Sequence, residues 1–231
     1  MKRNIVTYFL DYLPKDEPVL EAGCGLGAWL IFLSDMGYDI AGVDNNADVI
    51  ERLRKWKPAL KVGYGDIRKL PYRDGQLGAY ISLGVVEHFE EGPEEALAEA
   101  FRVLRPGGLM FFTVPLNNSF RRLFSHHVRQ LYLFVQRLRG ASIHFAEYRY
   151  SVEEAEELLK RHGFEVMSST WDDFMDPAMS LGIWADFPPF HGRRLYDLTP
   201  AGRALSFLLN SLSRWCAASG VFCLARKNRE A

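Results

Sequence analysis

The chain has 231 residues, 48% of them hydrophobic, and a formal net charge of −1. This supplies apolar material for one sizeable core, or a core with a small cap, and excludes a basic field for non-specific nucleic-acid binding. Three cysteines, Cys24, Cys216 and Cys223, are odd in number and lack metal-ligand spacing, which argues against a disulfide framework and makes a reducing, cytoplasmic compartment the expectation.

Residues 1–13 carry Lys2, Arg3 and Asp11 and no small-residue cleavage site, so they do not read as a signal peptide. Ile5, Val6, Phe9, Leu10 and Leu13 recur at helical spacing and predict a helix ending at Pro14. A strand over 19–21 leads through a glycine turn into a helix over 29–36. A second strand over 40–44, a helix over 47–56 and a third strand over 60–64 follow. A fourth strand over 80–83, a helix over 94–104 and a fifth strand over 109–114 continue the alternation. Such a pattern predicts a parallel, doubly wound sheet with helices on both faces. The short apolar strands fit burial on both sides.

After Pro115 the pattern changes. Phe120, Phe124, Val128, Leu131, Val135 and Leu138 predict one apolar face of an inserted helix closed by Gly140. Ser151 and Glu154 have capping-box spacing for another helix, with Ala155, Leu158 and Leu159 inward, Gly163 past its end and a strand over 164–170. Residues 172–197 are aromatic, acidic and proline-containing, without a clear period. Thr199 and Pro200 open a helix with Leu205, Leu208, Leu209 and Leu212 as its expected buried stripe, and 221–225 reads as a final strand. The apolar stretch 204–224 is broken by Asn210, Arg214 and Gly220 and makes a poor membrane span. The expected organisation is a single domain over 1–231, with an inserted basic lid at 116–146 and a second cap segment at 172–218.

Glu21, Gly23, Gly25 and Gly27 cluster at the end of the first strand, Asp44 ends the second, and Gly65-Asp66 follows the third. An adenosine group needs such a set: glycines for close backbone approach, an acid about twenty residues on for the ribose diol, and a polar edge for the adenine. A dinucleotide would lay its pyrophosphate over the glycine turn, where Glu21 opposes it. S-adenosylmethionine has an ammonium and a sulfonium and no phosphate, so the acid favours it.

With Val86-Glu87-His88 and Leu104-Arg105-Pro106-Gly107-Gly108 added, the motifs resemble in order and spacing those of class I S-adenosylmethionine-dependent methyltransferases, the type 11 group above all. The resemblance spans the first half of the chain and continues more weakly from Tyr150 to Phe164. It implies a Rossmann-like α/β fold with a mostly parallel seven-stranded sheet and helical insertions capping the active site. It also implies methyl transfer to a small-molecule acceptor, with S-adenosylhomocysteine as the leaving product. Glu21 would order the site around the methionyl ammonium, and Asp44 with Asn45 would meet the ribose. Asp66 and the Ile67 N–H would meet the adenine, and Leu83 and Gly84 would offer backbone groups to the methionyl amine. His88 would stand at the cofactor edge. Leu77-Gly78 departs from the family, which usually has an aromatic-acid pair before the fourth strand.

From Arg102 through Ala146 there are seven arginines (Arg102, Arg105, Arg121, Arg122, Arg129, Arg137 and Arg139), no lysine and no acid. The insertion reads as a lid with solvated arginines, as a site for an anionic acceptor (phosphate, carboxylate or sugar nucleotide), or as a peripheral membrane contact. Guanidinium forks suit phosphate and carboxylate, making Arg121, Arg122 and Arg129 acceptor candidates alongside Tyr148, Tyr150 and Trp184. Trp171, Phe174, Met179, Trp184, Phe187, Phe190 and His191 read either as cap packing or as an aromatic pocket wall. An oxygen acceptor also needs a base, for which His88, His126, His127, His144, Glu147 and His191 are candidates. Asp172, Asp173 and Asp176 lack the companions of a cation site, so no metal is expected. Two rival expectations are a non-catalytic S-adenosylmethionine-binding regulatory partner and a methyltransferase acting on a lipid-linked acceptor at the membrane surface.

Overall fold

The computed structural model describes residues 3–118, 121–125, 138, 145 and 147–228. Five parallel strands, β1 (Val19–Ala22), β2 (Ile40–Asp44), β3 (Lys61–Tyr64), β4 (Leu77–Leu83) and β5 (Leu104–Pro115), are joined by β6 (Phe164–Asp172) and β7 (Gly220–Lys227). The sheet order is β3-β2-β1-β4-β5-β7-β6, with β7 antiparallel to both neighbours. The chain runs outward from β1 to β3 and then crosses back to β4. That reversal opens a crevice at the carboxyl ends of the strands, where ligands of doubly wound folds sit.

Helices cover both faces because successive strand residues point opposite ways. Phe111 faces α1 (Val6–Tyr12) and α2 (Ala28–Asp35), packing with Ile5, Phe9, Leu30, Leu33 and Phe222. α3 (Ala47–Trp56) buries Ile50 and Leu53 against Cys24, and Asn46 caps it by accepting from the Val49 N–H at 3.2 Å. Phe112 faces the other side, where α4 (Glu94–Val103) and α5 (Val152–Arg161) bring Leu97, Ala100, Leu158 and Leu159. Ser151 and Glu154 close the capping box at the start of α5.

Both β4 and β5 start earlier than their apolar cores indicate, because Leu77 pairs with Leu104 ahead of a register shift before Ala79. Gly78 belongs to this extension. A Cβ there would collide with the Glu17 side chain, which is held by Arg105. The glycine in place of the family's acid thus has a local packing explanation.

Between β6 and β7, α6 (Leu181–Asp186), α7 (Pro200–Leu212) and α8 (Arg214–Ala217) pack around Ile183, Leu198, Leu209 and Ala217, with Trp184, Phe187 and Phe190 alongside. Thr199 caps α7 by accepting from the Gly202 N–H at 3.3 Å. The expected stripe of α7 is corrected: Leu209 is buried and Leu205 half-buried, but Leu208 and Leu212 face solvent. Gly202 and Ser206 take inward positions instead. A Cβ on Gly202 would sit 2.9 Å from the Phe190 Cβ, so the close approach of helix and loop admits only a glycine there. The inserted helix expected between Phe120 and Gly140 lies largely outside the described residues. Arg121–Ser125 forms a single π-helical turn and Leu138 is exposed. Among the described residues no helix is long and apolar enough to cross a membrane.

Candidate active site

The carboxyl ends of β1 to β4 meet at a cavity of about 580 Å3. The glycine turn after β1 enters it in left-handed conformations, with φ of +76° at Gly23 and +48° at Gly25. The two glycines serve different ends. A Cβ on Gly23 would lie 2.5 Å from Val85 Cγ2, so its bareness lets the turn touch the loop after β4. Around Gly25 no described residue outside the turn lies within 4 Å of such an atom, so its backbone faces the cavity. Asp44 holds this turn from β2, its Oδ2 accepting from the Gly25 N–H at 2.8 Å and its Oδ1 from the Asn46 N–H at 2.9 Å. Each carboxylate oxygen keeps a further acceptor position for a hydroxyl donor.

Asp66, after β3, is paired with Arg68, whose Nη2 lies 2.7 Å from Oδ2. That hydrogen bond holds the Asp66 carboxyl below its ordinary range. The same guanidinium lies over the Phe89 ring, 4.9 Å from its centroid. Two further carboxyls are buried near the crevice. Glu21 has its Oε2 without a hydrogen-bond partner among the described residues, and burial pushes its pKa up to about 8. The Leu30 N–H opposes that rise and the Asp44 charge adds to it. Glu87, on the 3-10 turn Val86–His88, is pushed up to about 7 by burial, and its Oε2 also lacks a partner among the described residues. His88 Nε2 lies 4.0 Å from Glu87 Oε1 and reaches the cavity wall. Cys24, inside the glycine turn, is buried, and burial pushes its thiol up to about 12, so it stays neutral and unreactive.

This donor set suits a cation better than a phosphate. Asp44, Asp66, Glu90 and Glu91 line the cavity against Arg68 and His88, and the buried Glu21 Oε2 behind the turn has no hydrogen-bond partner among the described residues. A methyltransferase-domain family model matches residues 1–169. The chain belongs to that family. It is of the Rossmann-like class I type, with S-adenosylmethionine as cofactor.

This methyltransferase chain is 28% identical over 170 residues to a probable S-adenosylmethionine-dependent methyltransferase of Mycolicibacterium smegmatis, covering 71% of the chain and 58% of that relative. It is 31% identical over 107 residues to a malonyl-[acyl-carrier protein] O-methyltransferase of Serratia marcescens, covering 46% and 42% of the two proteins. The chain thus spans about half the length of these curated relatives. Its fold is like that of an S-adenosylmethionine-dependent methyltransferase of Methanosarcina mazei, with a TM-score of 0.65, 16% identity, and 96% and 97% of the chains covered.

Of the residues that the motifs of this methyltransferase assign to the cofactor, Gly23, Gly25, Asp44 and Asn45 line the cavity from β1 and β2. Asp66, Ile67, Gly84 and His88 line it from β3 and β4. Glu21, Gly27 and Leu83 do not line it, and Gly27 instead packs on Leu53 at the start of α2. Arg68, Val85, Phe89, Glu90 and Glu91 line it without belonging to the assigned set. Their signal in the sequence is adjacency alone, two residues past Asp66 and either side of His88.

Of the residues expected to meet the acceptor, Tyr148 and Tyr150 line a second groove, of about 560 Å3, with Arg149, Glu154 and Arg161. The Tyr148 N–H donates to the Glu87 carbonyl at 2.9 Å and its hydroxyl donates to the Glu90 carbonyl at 2.8 Å. These bonds fasten residues 147–150 to the cavity rim. Glu147 is 3.0 Å from Arg149 Nε, and Arg149 Nη1 is 2.9 Å from Asp186 Oδ1. Arg121 is only 5% exposed: its Nε donates to Asp186 Oδ2, and its Nη1 to the carbonyls of Leu116 and Ala218. It faces the packing between α6 and α8 and not the second groove. Arg122 is exposed. Trp184 stacks on His191 with centroids 4.0 Å apart, and the His191 Nε2 meets the Trp184 carbonyl at 2.6 Å. Both lie in the cap's own packing, away from the two cavities. Phe174 and Met179 line a void of only about 20 Å3. His126, His127, His144 and Arg129 lie outside the described residues. Asp172 pairs with Arg3, while Asp173 accepts from the Ser180 hydroxyl and the Leu181 N–H, both at 2.7 Å.

Proposed function

We propose that the chain transfers the methyl group of S-adenosylmethionine to a small acceptor bearing a carboxylate or another anionic group. The observation that carries the reading is the convergence of four parallel strand ends on one cavity that combines a bare Gly25, a turn-holding Asp44 and a carboxyl-rich wall. In this reading Asp44 accepts from the ribose hydroxyls and Asp66 with Ile67 meets the adenine. Gly23, Gly25 and Gly84 let the backbone come close, and Glu21 supports the cationic end from behind the turn. When bound, the cofactor supplies the electrophilic methyl, and the protein supplies orientation and excludes water.

The acceptor enters where residues 147–150 are fastened to the rim, beside Tyr148 and Tyr150. Glu87, whose carbonyl accepts from the Tyr148 N–H, its neighbour His88, and Glu147 beside Tyr148 are the proposed proton acceptors for a hydroxyl or amine substrate. A carboxylate acceptor needs no base. The malonyl-[acyl-carrier protein] O-methyltransferase relative is named for a carboxylic substrate, which supports this class. Arg122 and Arg129 are the arginines proposed to meet the anion.

Calorimetric titration with S-adenosylhomocysteine, followed by transfer of labelled methyl to panels of carboxylates, phosphates and sugar nucleotides, tests the reading. Failure to bind S-adenosylhomocysteine overturns it. Binding with no turnover across the panel favours the regulatory-partner alternative.

A further inference from the structure

α7 buries Leu209 and part of Leu205 yet carries a second apolar face in solvent. Its inward positions include Gly202 and Ser206, while Phe207, Leu208 and Leu212 are 78%, 59% and 74% exposed. Ala201 and Ala204 are exposed as well. At 100° per residue these five apolar side chains fall within an arc of about 140°. No acid interrupts the arc, and none occurs in the sequence from Leu198 through Arg229. Arginines flank it in the chain: Arg203 on the edge of α7, and Arg193 and Arg194 beside the exposed Leu195 just ahead of it. The same cap leaves the sheet after Asp172 and rejoins it at Gly220, at the carboxyl edge that also carries the cofactor turn.

We infer that this face of α7 docks on an anionic lipid surface, with Phe207, Leu208 and Leu212 entering the headgroup boundary and the bordering arginines meeting lipid phosphates. Two features select this occupant over a second copy of the chain. The helix has 13 residues. It is therefore about 20 Å long, and with Phe207, Leu208 and Leu212 largely exposed its apolar side offers on the order of 400 Å2, about half of the roughly 800 Å2 per partner in a stable protein interface. An interfacial helix needs only its own apolar side, provided that cations rather than acids stand at its border. Guanidinium groups are well suited to phosphate. The inference does not depend on which acceptor is methylated.

The experiment is co-sedimentation of the full chain with phosphatidylcholine vesicles, with and without phosphatidylglycerol, at low and high salt. The expected result is binding to the anionic vesicles that weakens with salt. Replacing all three residues (F207S, L208S and L212S together) should lower vesicle partitioning by roughly tenfold or more, given the apolar area removed. R193Q with R194Q should lower binding to anionic vesicles without changing the residual binding to neutral ones. Calorimetry with S-adenosylhomocysteine confirms that each variant is folded, since none of these residues lines the cofactor cavity. Absence of vesicle binding by the unmodified chain overturns the inference, as does undiminished binding by the triple variant. Sedimentation equilibrium showing a dimer that the triple variant loses, with no vesicle binding, assigns the face to a second copy and also overturns it.

Discussion

The Gly25 N–H donates to Asp44 Oδ2 at 2.8 Å, so the acid that ends β2 shapes the turn that follows β1. Asp44→Ala removes this restraint together with the proposed acceptors for the ribose hydroxyls. Affinity for S-adenosylhomocysteine should fall by about 1.5–3 kcal/mol, on the order of ten- to a hundredfold. Asp44→Asn, which keeps one acceptor oxygen, should lose less. Calorimetry showing unchanged affinity in the alanine variant would remove Asp44 from the site.

Two glycines in the same turn should respond differently to alanine. Gly23→Ala drives a Cβ into Val85 and should destabilise the fold by roughly 1–3 kcal/mol, with Val85→Ala restoring part of the loss. Gly25→Ala meets no described residue outside the turn and should cost about 1 kcal/mol of stability, through its left-handed φ alone. Its larger effect should be on cofactor affinity. Thermal melts beside titrations separate the two cases, and equal stability losses would contradict the assignment.

Glu21 should make cofactor binding pH-dependent. Its folded-state pKa is raised to about 8 from 4.5, so between these values the native chain holds a proton that the unfolded chain has released. Its contribution to stability therefore falls as pH rises through that window. A cationic ligand favours the ionised carboxyl, so binding should release a proton, and affinity should climb from pH 6 toward about 8. Titrations in buffers of different ionisation enthalpy measure that release. Glu21→Gln should abolish both the release and the slope; if the slope survives, another group is responsible.

Arg121 should matter for folding and not for acceptor recognition. Arg121→Ala strands part of a buried Asp186 and leaves Arg149 as its remaining cation, with an expected loss of about 3–5 kcal/mol. Arg121→Met combined with Asp186→Leu, which removes both charges, should lose less. Chemical denaturation of the two variants gives the comparison. A single variant as stable as the parent would show that the pair is dispensable.

The first five strands, their helices and the crevice were legible because each was written locally. A short apolar run, a glycine turn and a following acid needed no distant partner to be recognised. The early starts of β4 and β5 were not, because the Leu77–Leu104 pairing depends on register across the sheet. Arg68 and Phe89 escaped notice for a related reason. Neither is a motif residue, and their stacking appears only when the loops after β3 and β4 are brought together. The leucines of α7 misled because periodicity identifies an apolar face without saying whether it points inward. Arg121 misled because composition alone does not show which arginine of a basic stretch has a buried carboxylate waiting for it.

The strand order also has a consequence for synthesis. Every strand of the cofactor-binding half, β1 to β5, lies between Val19 and Pro115 and can pair as soon as that stretch has left the ribosome. β6 cannot follow, because its neighbour is β7, and β7 must itself slot in beside β5. Until Gly220–Lys227 is translated, the edge of β5 stays open and Phe164–Asp172 has no ladder to join. The growing polypeptide therefore carries a nearly finished five-stranded half beside an exposed sheet edge. That edge is the place where a nascent-chain chaperone would have most to protect.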